Sequence, residues 1–210
     1  MTVPLLGSNL PLVRRQNRSL VLRVLLHHGP ISRSQIGEMT KLTTATIGNV
    51  VNELLESDLV VEVGAEPPGS GRPGRRRLLV DLNPRGLYVV GVHLGVRSIQ
   101  TGVGDLRGRL LSRSTIPVGD DHSPARVLSL VCDQVRALLD RTPVPIGRVC
   151  GVGVGTVGLV NSATGEILQL PQLGWRGVPA GQQLSAQLQL PVVVDNSRRA
   201  MVMAEAWLGQ

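Results

Sequence analysis

Residues 91–111, GVHLGVRSIQTGVGDLRGRLL, have the pattern of a β-hairpin that grips a phosphate group, without the acid that such a hairpin uses. An apolar strand leads to a glycine turn at Gly95, a second strand and a tight turn near Asp105. A nucleotide-handling hairpin carries a carboxylate at the end of its first strand, and this chain has His93 there. We favour a hydrogen-bonded strand-end histidine over a ligand or a base, because no nucleophile or acid pair accompanies it. The hairpin indicates either an enzyme with altered chemistry or a former enzyme with another use.

A second glycine motif, GVGTVG at residues 153–158, has the GxGxxG spacing of dinucleotide-binding loops. That fingerprint requires a helix directly after it and an acid about twenty residues further on. Here LVNSATGEIL follows, which predicts a turn and a strand, and Glu166 is too near while Asp195 is too far. We therefore predict no cofactor. We expect these glycines to let the backbone approach a partner or ligand closely.

Composition narrows the classes of function. The formal net charge is +7, and Lys41 is the one lysine among 22 basic residues, so the chain favours arginine, which suits phosphate and guanine. Only three residues are aromatic, which argues against a single-strand binder that stacks bases. Cys132 and Cys150 are isolated, so we interpret them as buried reduced thiols and predict no metal site. With no long apolar run and no secretory signal pattern, we expect a cytoplasmic protein.

Residues 1–82 have the pattern of a small DNA-binding domain. An apolar stripe predicts a first helix that ends at Gly29-Pro30, and Ser32 with Gln35 predicts a capped second helix in which Ile36 and Met39 point inward. Thr43 is the expected cap of a third helix, and two strands follow as a hairpin. The first and third helices place these residues on their apolar faces: Leu20, Val21, Val24, Leu25 and Leu26; Ile47, Val50, Val51, Leu54 and Leu55.

This layout predicts a winged helix-turn-helix, whose third helix enters the major groove. The opposite face of that helix is small and polar, so a phosphate backbone could approach it. The alternative is a helical domain whose third helix only packs, and a wing that is a solvated charge run. The expected DNA-binding residues are Arg33, Ser34, Thr44, Thr46, Asn49, Asn52, Arg72, Arg75, Arg76 and Arg77, the last four in the wing segment GSGRPGRRR.

Residues 83–210 predict an α/β domain with a mixed sheet. Three strands are expected from Tyr88 to Val118, then a helix over residues 124–141, a buried strand near residues 146–155 and a loop-rich section. The predicted order βββαβαβα ends with a helix near residues 180–188, the strand PVVVD and a final helix SRRAMVMAEAWLG.

Together these segments resemble the ROK family of repressors and sugar kinases. ISRSQIGEMTKLTTATIGNVVNELLESDLVVEVG is similar to the winged helix-turn-helix of its regulators, although Lys41 stands where glycine is usual. The family's first phosphate hairpin resembles GVHLGVRSIQTGVGDLRGRLL, and its sugar-facing segment resembles GVGVGTVGLVNSATGEILQLPQLGW. The strand and helix that carry its catalytic aspartate resemble VVVDNSRRAMVMAEAWLG. The resemblance implies a winged helix-turn-helix followed by one lobe of an actin-like, ribonuclease-H-type ATPase fold.

The resemblance also implies lost catalysis. The kinases of the family have Asp, Gly and Thr where this chain has His93, Val96 and Arg97, and their general base falls on Ser197. A serine cannot accept a sugar hydroxyl proton as a carboxylate does, so we expect no catalytic residues and no enzyme. The chain ends at Gln210, after the first lobe. Gln172 (where the family often has Asn), Asn196 and Ser197 are therefore the expected remnant of a sugar pocket.

These points predict a DNA-binding transcriptional regulator, a repressor of carbohydrate-related genes with a degenerate sensor of residues 83–210. Its expected partners are a double-stranded DNA operator, a sugar or sugar-phosphate effector and a second copy of itself. The alternatives are a sugar kinase and a protein-interaction module that senses no sugar.

Overall fold

The computed structural model describes residues 10–65 and 77–209. The chain divides into two compact units between Gly86 and Leu87. The expected fold class, a winged helix-turn-helix followed by one actin-like α/β lobe, is confirmed.

The first unit consists of three helices and a three-stranded antiparallel sheet in the order β1-β3-β2. Strand β1 pairs with β3 through only two residues, Ile31 and Ser32, which is too short for a sequence pattern to predict. In chain order the elements are α1 (Leu10–His28), β1 (Ile31–Ser32), α2 (Arg33–Thr40), α3 (Thr44–Glu56), β2 (Val60–Ala65) and β3 (Leu78–Leu82).

Both predicted helix caps are formed. The Ser32 side chain accepts a hydrogen bond from the Gln35 backbone N–H, and the Gln35 side chain accepts one from the Ser32 backbone, which completes a capping box. The Thr43 hydroxyl accepts a hydrogen bond from the Thr46 backbone N–H at the start of α3. These caps fix where α2 and α3 begin and therefore how the two helices are presented.

The core of the first unit follows the predicted apolar faces, with two errors. Met39 is 49% exposed and Leu20 is 38% exposed, so the inward position predicted for Met39 and the place predicted for Leu20 on the apolar face of α1 are wrong. Helix α2 has only eight residues and buries a narrow stripe centred on Ile36, which leaves Met39 beyond its edge. The fully buried side chains of the three helices are Val21, Leu25, Ile36, Ile47, Val51 and Leu54.

The second unit is an α/β lobe with a five-stranded mixed sheet in the order β11-β7-β4-β5-β6. Strands β11, β7 and β4 are parallel, whereas β4, β5 and β6 are antiparallel neighbours. In chain order the elements are β4 (Tyr88–Leu94), β5 (Ser98–Asp105), β6 (Leu110–Pro117), α4 (Pro124–Arg141), β7 (Val149–Thr156), β8 (Leu159–Asn161), β9 (Glu166–Leu170), β10 (Trp175–Val178), α5 (Ala180–Leu188), β11 (Val192–Asn196) and α6 (Ser197–Leu208).

Alternate residues of the central strands form the core beneath α4 and α5. In β4, Val90, Val92 and Leu94 are buried while the intervening Val89 and Gly91 are exposed. Helix α4 contributes a buried face that includes Val131, as expected. Cys132 is also buried there, but Cys150 is exposed, contrary to the prediction of two buried thiols.

The section expected to be rich in loops forms a second, three-stranded sheet in the order β10-β9-β8. Trp175 starts β10, is 2% exposed and donates its indole N–H to the His122 carbonyl over 2.6 Å. Helix α6 lies against β11 and β7 and is exposed along the part whose side chains are described. Within residues 10–65 and 77–209, no helix combines the length and apolarity needed to span a bilayer.

Candidate functional site

Helices α2 and α3 form the helix-turn-helix, and a left-handed residue makes the turn between them. Lys41 has φ 60° at the end of α2, and its backbone N–H donates to the Gly37 carbonyl. This conformation suits glycine, so Lys41, which departs from the family pattern, has a strained backbone at the turn. The turn is formed even though its left-handed residue is not glycine.

The exposed face of α3 is polar and carries no charge in its first two turns. Asn49 and Asn52 are exposed, on the side opposite Val50 and Val51. Thr44 is also exposed, whereas the Thr46 hydroxyl lies 2.9 Å from that of Thr43 and is used in the cap. Asparagine amides can donate to and accept from the edge of adenine in the major groove. The two asparagines are therefore the side chains of α3 best placed to contact bases.

A groove between α2 and α3 contains the other expected contacts of the helix-turn-helix. Its lining includes Arg33, Ser34, Thr44 and Gly48. The Arg33 guanidinium lies 3.5 Å from the Glu62 carboxylate, and both side chains are more than a third exposed. Such a pair is weak and solvated, so Arg33 can exchange Glu62 for a phosphate group.

The predicted wing contacts fall mainly outside the described residues. Arg72, Arg75 and Arg76 lie there, and Arg77 is half-buried immediately before β3. The role of these four residues in DNA binding stays a prediction.

In the second unit, the carboxyl ends of three parallel strands bring the altered kinase positions together. His93 of β4 pairs with Gly155 of β7, and Gly155 pairs with Asp195 of β11. The next residue of β11 is Asn196, and Ser197 starts α6. Open α/β sheets bind ligands outside the carboxyl ends of their strands, so this edge is the place expected for a ligand.

His93 and Ser197 contact each other directly. The His93 Nδ1 atom and the Ser197 Oγ atom are 3.2 Å apart, although 104 positions separate the two residues. A β-carbon added at Gly155 would lie 3.3 Å from Ser197 Oγ, so the glycine leaves room for this contact. The strand-end histidine is thus hydrogen-bonded, in line with the interpretation favoured from the sequence.

Asp195 forms a polar network that the sequence analysis did not predict. Its carboxylate accepts a hydrogen bond from the Ser162 hydroxyl over 2.8 Å and lies 3.4 Å from the Arg199 guanidinium. Burial acts to raise the pKa of Asp195, but the hydrogen bonds from Ser162 and Asn196 and the charge of Arg199 outweigh it, so this pKa lies below its ordinary value. An aspartate near the carboxyl end of the strand PVVVD was the available signal.

The three expected sugar-pocket residues lie in different elements. Asn196 caps α6 by accepting from the Arg198 backbone N–H, and its amide donates to the Gly158 carbonyl over 2.9 Å. Gln172 is exposed on a short 3-10 turn that ends β9. Within the described residues, no hydrogen bond joins Gln172 to Asn196 or Ser197. Their shared role in a pocket stays a prediction.

Comparison with known proteins finds a matching family model for a part of each unit. Residues 89–210 match the ROK family and residues 13–72 match the MarR family. The chain is 29% identical over 205 residues to a xylose repressor of Caldicellulosiruptor bescii, an alignment that covers 97% of this chain and 50% of that protein. The chain spans about half the length of the curated relatives it matches.

Solved structures give the same assignment. A ROK family transcriptional regulator, a homologue of the Escherichia coli MLC protein, superposes with a TM-score of 0.75 at 25% identity, over 92% of this chain and 48% of its own. A ROK family glucokinase from Streptomyces griseus, in complex with glucose and AMPPNP, superposes with a TM-score of 0.52 at 27% identity. That match covers 59% of this chain and 37% of the kinase. The chain belongs to the ROK family.

Proposed function

We propose that this protein is a transcriptional repressor of carbohydrate-related genes that binds operator DNA through α2, α3 and the wing. The observation that carries the proposal is the exposed face of α3, where Asn49 and Asn52 project from a helix held by its Thr43 cap and its buried opposite side. A rigid helix with hydrogen-bonding tips and no charge in its first two turns suits the major groove. The similarity to a xylose repressor and to a ROK regulator supports the proposal.

Selection from a pool of random duplexes tests this function. The 210-residue chain should enrich one short motif from the pool, and Asn49→Ala should lose that enrichment while still binding DNA without preference. The matched control is Gln187→Ala, which removes an exposed amide from α5 in the second unit and should enrich the parent motif. Recovery of a pool without any motif by the parent chain would refute operator binding.

We infer that the second unit acts as a sensor rather than a kinase. Ser197 stands at the position of the general base, and loss of a general base typically costs about 10²–10⁴ in rate. Asp195 is a poor substitute, because its lowered pKa and its hydrogen bonds make it a weaker base. Phosphorylation of glucose in a coupled ATP assay by the repurified chain would refute this and favour the kinase alternative.

A sugar or sugar phosphate is the effector class we propose for the carboxyl edge near His93, Asn196 and Ser197. The hydroxyl groups of a sugar can form hydrogen bonds with imidazole, amide and hydroxyl side chains such as these. Thermal shift measurements against a panel of sugars test the assignment, since a bound ligand raises the melting temperature of the folded form. A panel without any shift would favour the alternative of an interaction module.

We also propose self-association through α6. Met201 and Val202 are 69% and 70% exposed, and Trp207 on the same helix is 44% exposed. A helix with apolar side chains on several sides is normally covered. Sedimentation velocity should show dimers or larger species, and a monomer at high concentration would contradict this proposal.

A further inference from the structure

Helix α1 is basic and carries an open groove on its side towards α3. It contains four arginines and two histidines and no acidic residue. The groove is lined by Arg14, Arg15, Arg18, Ser19 and Glu53 among others. All of these except Glu53 belong to α1, so the groove lies within the first unit.

Two of the lining residues, Arg18 and Glu53, form an ion pair. The Arg18 guanidinium donates to the Glu53 carboxylate over 2.7 Å, and each side chain is about one third exposed. Glu53 follows Asn49 by four residues and therefore lies one helical turn further along α3. An unpaired Glu53 carboxylate beside the exposed face of α3 would repel a phosphate backbone, and the ion pair with Arg18 neutralises this negative charge.

Arg14 and Arg15 remain uncompensated in the same groove. Both are exposed, and within the described residues neither forms an ion pair or a hydrogen bond. The Ser19 hydroxyl lies beside them in the lining. Two guanidinium groups and a hydroxyl are the donor set typical of contacts to phosphodiester oxygens.

We propose that this groove is a second DNA contact site, in which Arg14 and Arg15 bind the phosphodiester backbone flanking the major groove that α3 enters. The inference rests on the proposed DNA-binding function and adds a site that α2, α3 and the wing do not provide. The phosphates concerned are those of duplex DNA rather than of a free anion, because the groove is open and its one lining residue from α3, Glu53, lies one helical turn from Asn49. Backbone contacts of this kind set affinity and register but not sequence preference.

The test is the salt dependence of binding to a mixed-sequence duplex about two helical turns long. Each lost phosphate contact should flatten the slope of log affinity against log salt by about 0.9. For Arg14→Ala with Arg15→Ala, the slope should flatten by about 1.8, so the affinity advantage of the parent chain should shrink about twelvefold between about 50 and 200 mM salt. A charge-preserving variant, Arg14→Lys with Arg15→Lys, should keep most of the slope.

The matched control is Arg109→Ala with Arg126→Ala, which removes two exposed arginines from the second unit. It has the same net charge as the α1 variant and should keep the slope of the parent. If both double variants flatten the slope equally, net charge explains the effect and the groove is not a contact site. If the parent binds with a steep slope and the α1 variant matches it, this inference alone fails. If the parent does not bind any duplex, the proposed function fails as well.

A free anion is tested by the melting temperature of the chain with inorganic phosphate at constant ionic strength. We expect phosphate to change the parent and the Arg14→Ala, Arg15→Ala variant equally. A phosphate stabilisation that only the parent shows would overturn the assignment to DNA and give the groove to a small anion.

Discussion

We expect the two units to unfold separately, and a substitution at a buried leucine of α3 tests this. Leu54 is fully buried in the first unit, and its replacement by alanine should cost about 3–5 kcal/mol of that unit's stability. A unit of this size is stable by on the order of 4–13 kcal/mol, so the substitution removes a large part of the total. At about 4–8 °C per kcal/mol, the melting temperature of the first unit should fall by at least roughly 12 °C.

The placement of the aromatic residues supplies the assay. Tyr88, Trp175 and Trp207 all lie in the second unit, so tryptophan fluorescence reports only that unit, whereas far-ultraviolet circular dichroism reports both. Leu54→Ala should shift an early transition in circular dichroism and leave the fluorescence transition in place. The control Leu128→Ala, at a fully buried position of α4, should shift the fluorescence transition instead. A fluorescence shift in Leu54→Ala equal to that of Leu128→Ala would show that the two units do not unfold separately.

Four further outcomes are expected. Ser32→Ala removes the cap of α2 and should lower the stability of the first unit by about 1 kcal/mol in chemical denaturation. Lys41→Gly relieves the left-handed residue and should raise that stability by roughly 0.5–1 kcal/mol in the same assay. Asn49→Ala should weaken binding to the selected motif by about 1–3 kcal/mol in fluorescence anisotropy, with the salt slope unchanged. The pKa of Asp195 is lowered in the folded state, so its carboxylate stabilises the second unit fully above its ordinary pKa of 3.8, and this stabilisation is lost as the pH falls through the folded value. In acid denaturation followed by tryptophan fluorescence, Asp195→Asn should therefore lose this part of the pH dependence of the stability.

Most of the architecture could be predicted because its signals are local. The capping box at Ser32 and the apolar face that includes Leu54 each depend on residues within a few positions of one another. The bounds of α4 followed in the same way from its apolar spacing. The short strands β8 and β10 have only three and four residues, so their pairing with β9 decides their structure and no periodic pattern reveals it.

The candidate sites were harder to predict because their contacts are distant in sequence. The bond between His93 and Ser197 depends on the register of β4, β7 and β11, which the sequence analysis did not establish. The pairing of Arg18 with Glu53 depends on how α1 packs against α3. No pattern in the sequence pointed to a role for Arg14, which contributed only to the net charge.

Hydrogen exchange of the whole chain, with and without its selected duplex, shows which of the two units binds DNA. We expect DNA to slow exchange in α2, in the first turns of α3 and in the segment between β2 and β3, and to leave the amides of β4, β7 and β11 unchanged. Protection confined to the second unit, or no protection in α3 at saturating duplex, would contradict the assignment of the first unit as the DNA-binding domain.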